Sequence, residues 1–293
     1  MHKNQNSSKG ERRSGPLEKR RLVLLSGPTG IGKTSLAIWM AETFGGEIVG
    51  ADSMQLYRHM DIGTAKPTTE ERQRIRHHMV DVADPVEAYD AARYAAEARA
   101  ALNDIARRGK LPFVVGGTGF YIRALLYGLC DARPENPLVR DRLRQEAQDL
   151  GSGALFERLC ACDPAAAQRI HPNDIYRLIR ALEMYEITGR PMSSLQGAHR
   201  FSDAPYNPIM FALNMDRAAL YARIDARVDD MIAAGLLDEV KALLKMGYDE
   251  SCRPMKALGY RHMLDFIRGS ARWSEALAAL KRDTRHYAKR QLT

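Results

Sequence analysis

Gly27-Pro28-Thr29-Gly30-Ile31-Gly32-Lys33-Thr34 is the stretch on which the reading of the fold turns. It fits G-x-x-x-x-G-K-[ST], a loop whose backbone N–H groups curl around phosphate oxygens while the next helix presents its positive end to the same anion. Lys33 then neutralises phosphate charge, and the Thr34 hydroxyl holds Mg2+. The flanks are the required ones. Leu22-Val23-Leu24-Leu25 reads as a short buried strand. TSLAIWMAETF (34–44) reads as a helix, with Leu36, Trp39, Met40 and Phe44 at helical spacing, Trp39 and Met40 facing a core, and Gly45-Gly46 as its stop. The pattern implies polyphosphate binding and does not by itself imply ATP hydrolysis.

Working outward, EIVGADS (47–53) and LPFVVGG (111–117) read as further buried strands. Asp90 caps an alanine-rich helix running to Arg108, and FYIRALLYGL (120–129) is a helix. Strands alternating with helices predict an α/β fold, a doubly wound parallel sheet of the P-loop NTPase type. From about 130 to 205 the pattern changes to helices near 138–150, 164–170 and 174–187, with polar turns at 131–137 and 189–205. That stretch reads as a helical insert domain. NPIMFALNM (207–215) returns to strand character, and 217–292 is helical with breaks at Gly235, Gly247 and Gly269. The expected organisation is a disordered basic tail (1–21), a core (22–129 and 206–293) and the insert (130–205).

Composition narrows the function classes. The chain has 293 residues, 45% hydrophobic and 27% charged, which excludes disordered and fibrous classes. It has no apolar run of membrane-spanning length and no signal-peptide core, so a cytoplasmic protein is expected. Cys130, Cys160, Cys162 and Cys252 make neither a disulfide framework nor a zinc set, and are expected to be reduced and mostly buried. The net charge is +8, with +5 in residues 1–21 and +4 in residues 281–293, leaving the body at −1. The basic C-terminal helix is therefore the better candidate for contact with a polyanion.

An ATPase usually carries a second buried strand ending in Asp, which holds the metal's water shell. Here the strand at 111–115 runs into Gly116-Gly117-Thr118-Gly119, and the acid lies on the other strand, at Asp52-Ser53. In a parallel sheet both strand ends lie on the carboxyl edge beside the phosphate loop. Asp52 is thereby near the phosphates, either in a metal shell or as a general base.

GPTGIGKT, DSMQLYRHMDIGTAKP (52–67), GGTGFYIRALLYGL (116–129), RIHPND (169–174), RLIRALEMYEITG (177–189), KALGYR (256–261) and AKRQLT (288–293) occur in this order. Together they resemble the tRNA dimethylallyltransferases, also called tRNA isopentenyltransferases, over residues 22–293. Without a C-terminal zinc finger, the chain resembles the bacterial type. The family pattern continues past AKRQ-x-T with Trp and Arg residues, whereas this sequence stops at Thr293. The resemblance implies transfer of a dimethylallyl group from dimethylallyl diphosphate to N6 of adenosine 37 in tRNAs that read codons starting with U. It implies Mg2+ and the anticodon stem-loop as partner; a monomer is expected.

It also implies residue roles. Asp52 is the general base, with Thr118 and Arg223 at the reacting groups and the diphosphate. Residues Gly27, Pro28, Thr29, Gly30, Ile31, Gly32, Lys33 and Thr34 hold the diphosphate. The RNA side comprises Asp52, Ser53, Met54, Gln55, Thr118, Arg140, Gln168, Arg169, Ile170, His171, Pro172, Lys256, Ala257, Leu258, Gly259, Tyr260, Arg261, Lys289, Arg290 and Gln291. Gln55 would pair bidentately with adenine. Plainer readings stand beside these: a helix cap for Thr118, a surface position for Arg223, a helix-end contact for His171, packing for Tyr57. The rival functions are a small-molecule phosphotransferase, a prenyltransferase acting on free adenylate, and a non-catalytic RNA-binding switch.

Overall fold

The computed structural model describes residues 20–129, 136–199 and 205–292. The expected tail falls almost wholly outside them, as do Cys130 and most of the turn at 131–137.

Five strands form one parallel sheet in the order β3-β2-β4-β1-β5. They are β1 (Arg20–Ser26), β2 (Gly46–Gly50), β3 (His77–His78), β4 (Leu111–Gly116) and β5 (Tyr206–Ala212). β1 starts two residues before the apolar run, because Arg20 pairs with Tyr206 and its N–H bonds Pro205 O. β2 ends at Gly50, so residues 51–53 already belong to the loop above the sheet. In β1, Leu22 and Leu24 enter one core and Val23 and Leu25 the other. That alternation is what a strand covered on both faces requires. Val23 sits opposite both Phe113 and Ile209, which fixes the register of β4, β1 and β5.

Helix α1 (Lys33–Phe44) covers the Val23/Leu25 face, together with Ile75 beyond α2 (Thr69–Arg74). It buries Ala37, Ile38 and Ala41, and the small alanines let it lie close to the sheet. Trp39, expected in the core, is instead 58% exposed, and Met40 is only partly buried. Spacing alone could not say which stripe of an all-round apolar helix meets the sheet. The other face carries α3 (Ala91–Arg107), α4 (Gly119–Tyr127), α10 (Arg217–Ala233), α11 (Leu236–Lys245), α12 (Tyr260–Ile267) and α13 (Trp273–Gln291). Asp90 caps α3 by accepting the N–H groups of Ala92 and Arg93, both at 2.8 Å.

Between α4 and β5 lie α5 (Pro137–Leu150), α6 (Ser152–Cys162), α7 (Pro164–Ala167), α8 (Ile175–Thr188) and α9 (Met192–His199). They have their own core of Leu143, Leu155, Leu159, Ile170, Leu178 and Leu182. Two of these helices correct the sequence reading. α6 was hidden by Gly151 and Gly153 at its start, and α9 lies in a stretch read as polar turn. The helix expected over 164–170 is shorter, ending at Ala167. Of the described cysteines only Cys252 is buried; Cys160 is exposed, on the side of α6 away from the insert core, and Cys162 is partly buried against that core. No helix among the described residues is long and apolar enough to cross a membrane.

Candidate active site

The phosphate loop joins the end of β1 to the start of α1. Gly32, the residue before the helix, has φ 97°, a left-handed conformation that an L side chain adopts only with strain. The Lys33 Nζ donates to Gly27 O and Pro28 O, both at 2.8 Å, so the loop is closed on its own lysine. Burial lowers the Lys33 pKa to about 8, with Asp52 raising it and Arg227 lowering it. The Thr34 hydroxyl has no partner among the described residues.

Gly27–Thr34 opens on a cavity of about 490 Å³ lined by Thr29, Lys33, Thr34, Asp52, Gln55, Arg223 and Arg227. A second cavity, about 350 Å³, is lined by Ser53, Met54, Lys256–Arg261, Thr284, Tyr287 and Arg290. Thr29, Asp52, Thr64 and Arg227 line both. Asp52 thus stands where the two cavities meet. Its Oδ1 accepts the N–H groups of Met54 at 2.8 Å and Gln55 at 3.4 Å. Its Oδ2 makes no hydrogen bond among the described residues.

Thr118 sits at the N-cap position of α4 but does not cap it; its Oγ1 accepts the Ser53 N–H at 3.1 Å. The threonine therefore orients the loop after β2 that carries Asp52. Its hydroxyl also meets Tyr287, whose phenol is pushed up to about 12 by burial and by Asp52.

Arg223 lies at the rim: its guanidinium is 3.3 Å from where a side chain on Gly32 would begin. Arg227, one turn further along α10, was missed by the sequence reading. Its Nη1 lies 3.4 Å from Thr29 Oγ1, and burial lowers its pKa while Asp52 raises it. The i, i+4 spacing of two arginines in YARIDAR was the available signal.

The loop from Asp52 to Pro67 is pinned from beneath. Buried Lys66 donates to Tyr57 O at 2.6 Å, Asp61 Oδ1 at 2.7 Å and Asp81 Oδ1 at 2.6 Å. Glu239 on α11 accepts the N–H groups of Asp61, Ile62 and Gly63 and the hydroxyl of Tyr260. Gly63 must be glycine, since a side chain there would start 2.6 Å from the Tyr260 ring. The Gln55 Nε2 donates to Thr64 O and Ala65 O, so both its N–H donors are taken. The bidentate pairing expected of Gln55 is not available in this arrangement; only Oε1 is left to accept from a base.

The remaining candidates fall into separate groups. Lys256–Arg261 form one wall of the second cavity, although Tyr260 itself is fully buried and Arg261 is paired with Asp283. Arg140 pairs with buried Glu183 inside the insert. Gln168, Arg169, His171 and Pro172 are exposed, but Ile170 is 7% exposed and belongs to the insert core. His171 Nδ1 accepts the Asn173 N–H at 3.1 Å, a local contact just before α8. Tyr57 is packing, at 3% exposure. Lys289 and Arg290 are exposed at the end of α13, while Gln291 turns inward to the phosphate loop.

A family model described as IPP transferase matches residues 55–293. The tRNA dimethylallyltransferase of Desulfosudis oleivorans is 51% identical over 273 residues, covering 93% of this chain and 87% of that protein. The tRNA dimethylallyltransferase of Syntrophobacter fumaroxidans is 52% identical over 272 residues, covering 93% and 80%. Among solved structures, the tRNA isopentenylpyrophosphate transferase of Bacillus halodurans superposes with a TM-score of 0.68 at 42% identity, covering 94% of this chain and 86% of that one. A eukaryotic dimethylallyltransferase acting on tRNA superposes with a TM-score of 0.81 at 32% identity, covering 93% and 69%.

Proposed function

The chain belongs to the IPP transferase family, and from that premise we propose that it transfers the dimethylallyl group of dimethylallyl diphosphate to N6 of adenosine 37 in tRNAs reading codons that start with U. The enzyme is a tRNA dimethylallyltransferase, a prenyltransferase. The observation that carries the detailed reading is the place of Asp52, at the junction of a phosphate-loop cavity and a second cavity edged with basic residues.

The diphosphate occupies the first cavity. The free N–H groups of the loop, Lys33, Arg227 and Arg223 face it, and their charge stabilises the diphosphate as it leaves. The adenine, turned out of the anticodon-loop stack, enters from the second cavity. Its exocyclic amine is a poor nucleophile because the lone pair is delocalised into the ring. As N6 bonds to C1 of the dimethylallyl group, the C1–O bond to diphosphate breaks, and the N6 proton passes to Asp52 Oδ2. Gln55 Oε1 accepts the second N6 hydrogen, and Thr118 holds the Asp52–Ser53 turn.

The donor set suits Mg2+. Thr34 offers one hard oxygen without a competing partner, and no group of three His, Cys, Asp or Glu side chains able to hold a metal occurs among the described residues. A magnesium ion held chiefly by diphosphate and water fits such a site. Thr34 would hold it, with Asp52 close by, and it would supply charge neutralisation of the leaving group. A cytoplasmic, monomeric enzyme whose partner is the tRNA anticodon stem-loop completes the reading.

The test mixes the protein with radiolabelled dimethylallyl diphosphate and Mg2+, and offers unmodified tRNA, AMP, or ATP with small acceptors. Label on tRNA is expected. Label on AMP alone, or consumption of ATP, overturns the assignment.

A further inference from the structure

A base turned out of an RNA loop loses its stacking neighbours, and the pocket that takes it must offer a flat surface in their place. Most rings around Asp52 are not free to do so. Tyr57, Tyr94 and Tyr121 are buried in the core, and Tyr94 and Tyr121 are stacked on each other with centroids 4.3 Å apart. Tyr260 borders the second cavity but is fully buried, and its hydroxyl donates to Glu239 at 2.7 Å. Tyr287 on α13 borders the same cavity and is partly exposed, and its hydroxyl shares a hydrogen bond with Thr118. Thr118 is also the residue whose Oγ1 accepts the Ser53 N–H, so the ring is tied at its hydroxyl end to the loop that carries Asp52. The Arg290 guanidinium lies over the Tyr287 ring, 5.9 Å from its centroid. Across the cavity α10 contributes Ile224, Val228 and Met231, at i, i+4 and i+7. The cavity is thus a slot with one aromatic wall and one aliphatic wall, and Asp52 stands at the end of it that meets the phosphate-loop cavity.

We propose that Tyr287 is the platform on which the reacting adenine stacks, its ring set by the bond to Thr118 so that the amine edge of the base meets Asp52. The proposal rests on the reading of the second cavity as the side from which adenine enters. The two parts of the side chain then do separate things. The ring face supplies affinity for the base, and the hydroxyl fixes where that face stands relative to Asp52. Stacking is nearly indifferent to which base is stacked. The ring therefore holds the base, while Asp52 and Gln55 read its amine.

The experiment is a double-mutant cycle between the protein and position 37 of the RNA. Filter binding, without prenyl donor, gives the Kd of an unmodified anticodon stem-loop and of the same stem-loop with an abasic site at 37. In the wild-type chain the abasic stem-loop should bind about tenfold or more weakly. Tyr287→Leu fills the space without a π face. It should weaken the adenosine stem-loop until the ratio is about threefold or less, while the abasic stem-loop stays within about twofold of its wild-type Kd. A merely structural role for the ring would weaken both stem-loops alike and leave the ratio intact. Tyr287→Phe keeps the ring and should keep the ratio above about fivefold. Its single-turnover transfer should fall by several-fold, because the ring is no longer tied to Thr118.

Crosslinking of the wild-type chain supplies an independent arm, and carries the test if circular dichroism shows Tyr287→Leu unfolded. A stem-loop with 8-azidoadenosine at position 37 should, on irradiation, label the tryptic peptide 286–289 that contains Tyr287. The proposal is overturned if the ratio survives in Tyr287→Leu, if Tyr287→Phe loses the ratio as Tyr287→Leu does, or if label appears only on other peptides. It is also overturned if the wild type binds the adenosine and abasic stem-loops equally. A wild type that binds neither stem-loop overturns the functional reading itself, and the platform with it.

Discussion

At the scale of single residues, the site depends on two groups held in different states by their surroundings. Asp52 keeps one oxygen locked by the N–H groups of Met54 and Gln55 and the other available. Asp52→Asn preserves the shape and the locking contact but cannot take a proton. Single-turnover transfer should fall by roughly 10²–10⁴-fold, with diphosphate affinity and Mg2+ dependence nearly unchanged. If added Mg2+ restores the rate, Asp52 serves the metal and not the amine. Lys33 is the second group. Its pKa of about 8 follows from burial, so the free enzyme loses this positive charge as pH rises through that value. Affinity for dimethylallyl diphosphate should be flat below about pH 8 and fall above it. Lys33→Ala should bind more weakly at every pH and lack that falling limb, while its tRNA affinity is retained. Titration calorimetry between pH 6.5 and 9.5 checks both.

At the scale of elements, α11, α12 and α13 hold the upper loops in place through a few buried contacts. Glu239 collects three consecutive N–H groups and the Tyr260 hydroxyl, so it replaces the hydrogen bonds that the 61–63 turn would otherwise make to water. Glu239→Ala should cost about 3 kcal/mol in urea unfolding, and should raise hydrogen exchange first at residues 61–63.

Asp283 joins α13 to α12. Burial raises its pKa, but hydrogen bonds from Arg282, His262 and Arg261 prevail and bring it to about 2. Its folded value is depressed, so the stabilisation is present above the unfolded value near 3.8 and is lost as pH falls toward 2. Asp283→Asn should lower stability at pH 7 by on the order of 2 kcal/mol and flatten the dependence between pH 4 and 2.

At the scale of the whole molecule, charge is set apart from the fold core. The net +8 is carried by the two ends of the chain, and the C-terminal end lies beside the second cavity. RNA affinity should therefore fall steeply with salt as phosphate contacts release counterions. Charge-neutralising Lys289 and Arg290 together should weaken binding and flatten the logarithmic salt slope by about 1 to 2. Filter binding from 50 to 300 mM salt measures it, and an unchanged slope would place the RNA contact elsewhere.

The local chemistry of the chain was enough for several features. A strand, a GPTGIGKT loop and a helix are contiguous, so their geometry is a local consequence of glycine conformations and apolar runs. The alternation of Leu22 and Leu24 with Val23 and Leu25 and the Asp90 cap are local in the same sense. Asp52 was placed correctly at the carboxyl edge because parallel strands all end there. Tertiary structure decided the rest, where contacts join positions far apart in the chain. Which stripe of α1 is buried depends on the sheet beneath it, and that left Trp39 outside. Arg227 outranks Arg223 in depth only because α10 crosses above Thr29. Gln55 lost its donors to Thr64 and Ala65 because Lys66 and Glu239 fold that loop back over it. Gln291, a neutral amide next to Lys289 and Arg290, contacts the phosphate loop because α13 ends against residues 262 and 174 positions away. Periodicity reports a residue's neighbours within one element; it carries no information about which element arrives from elsewhere to satisfy a buried amide.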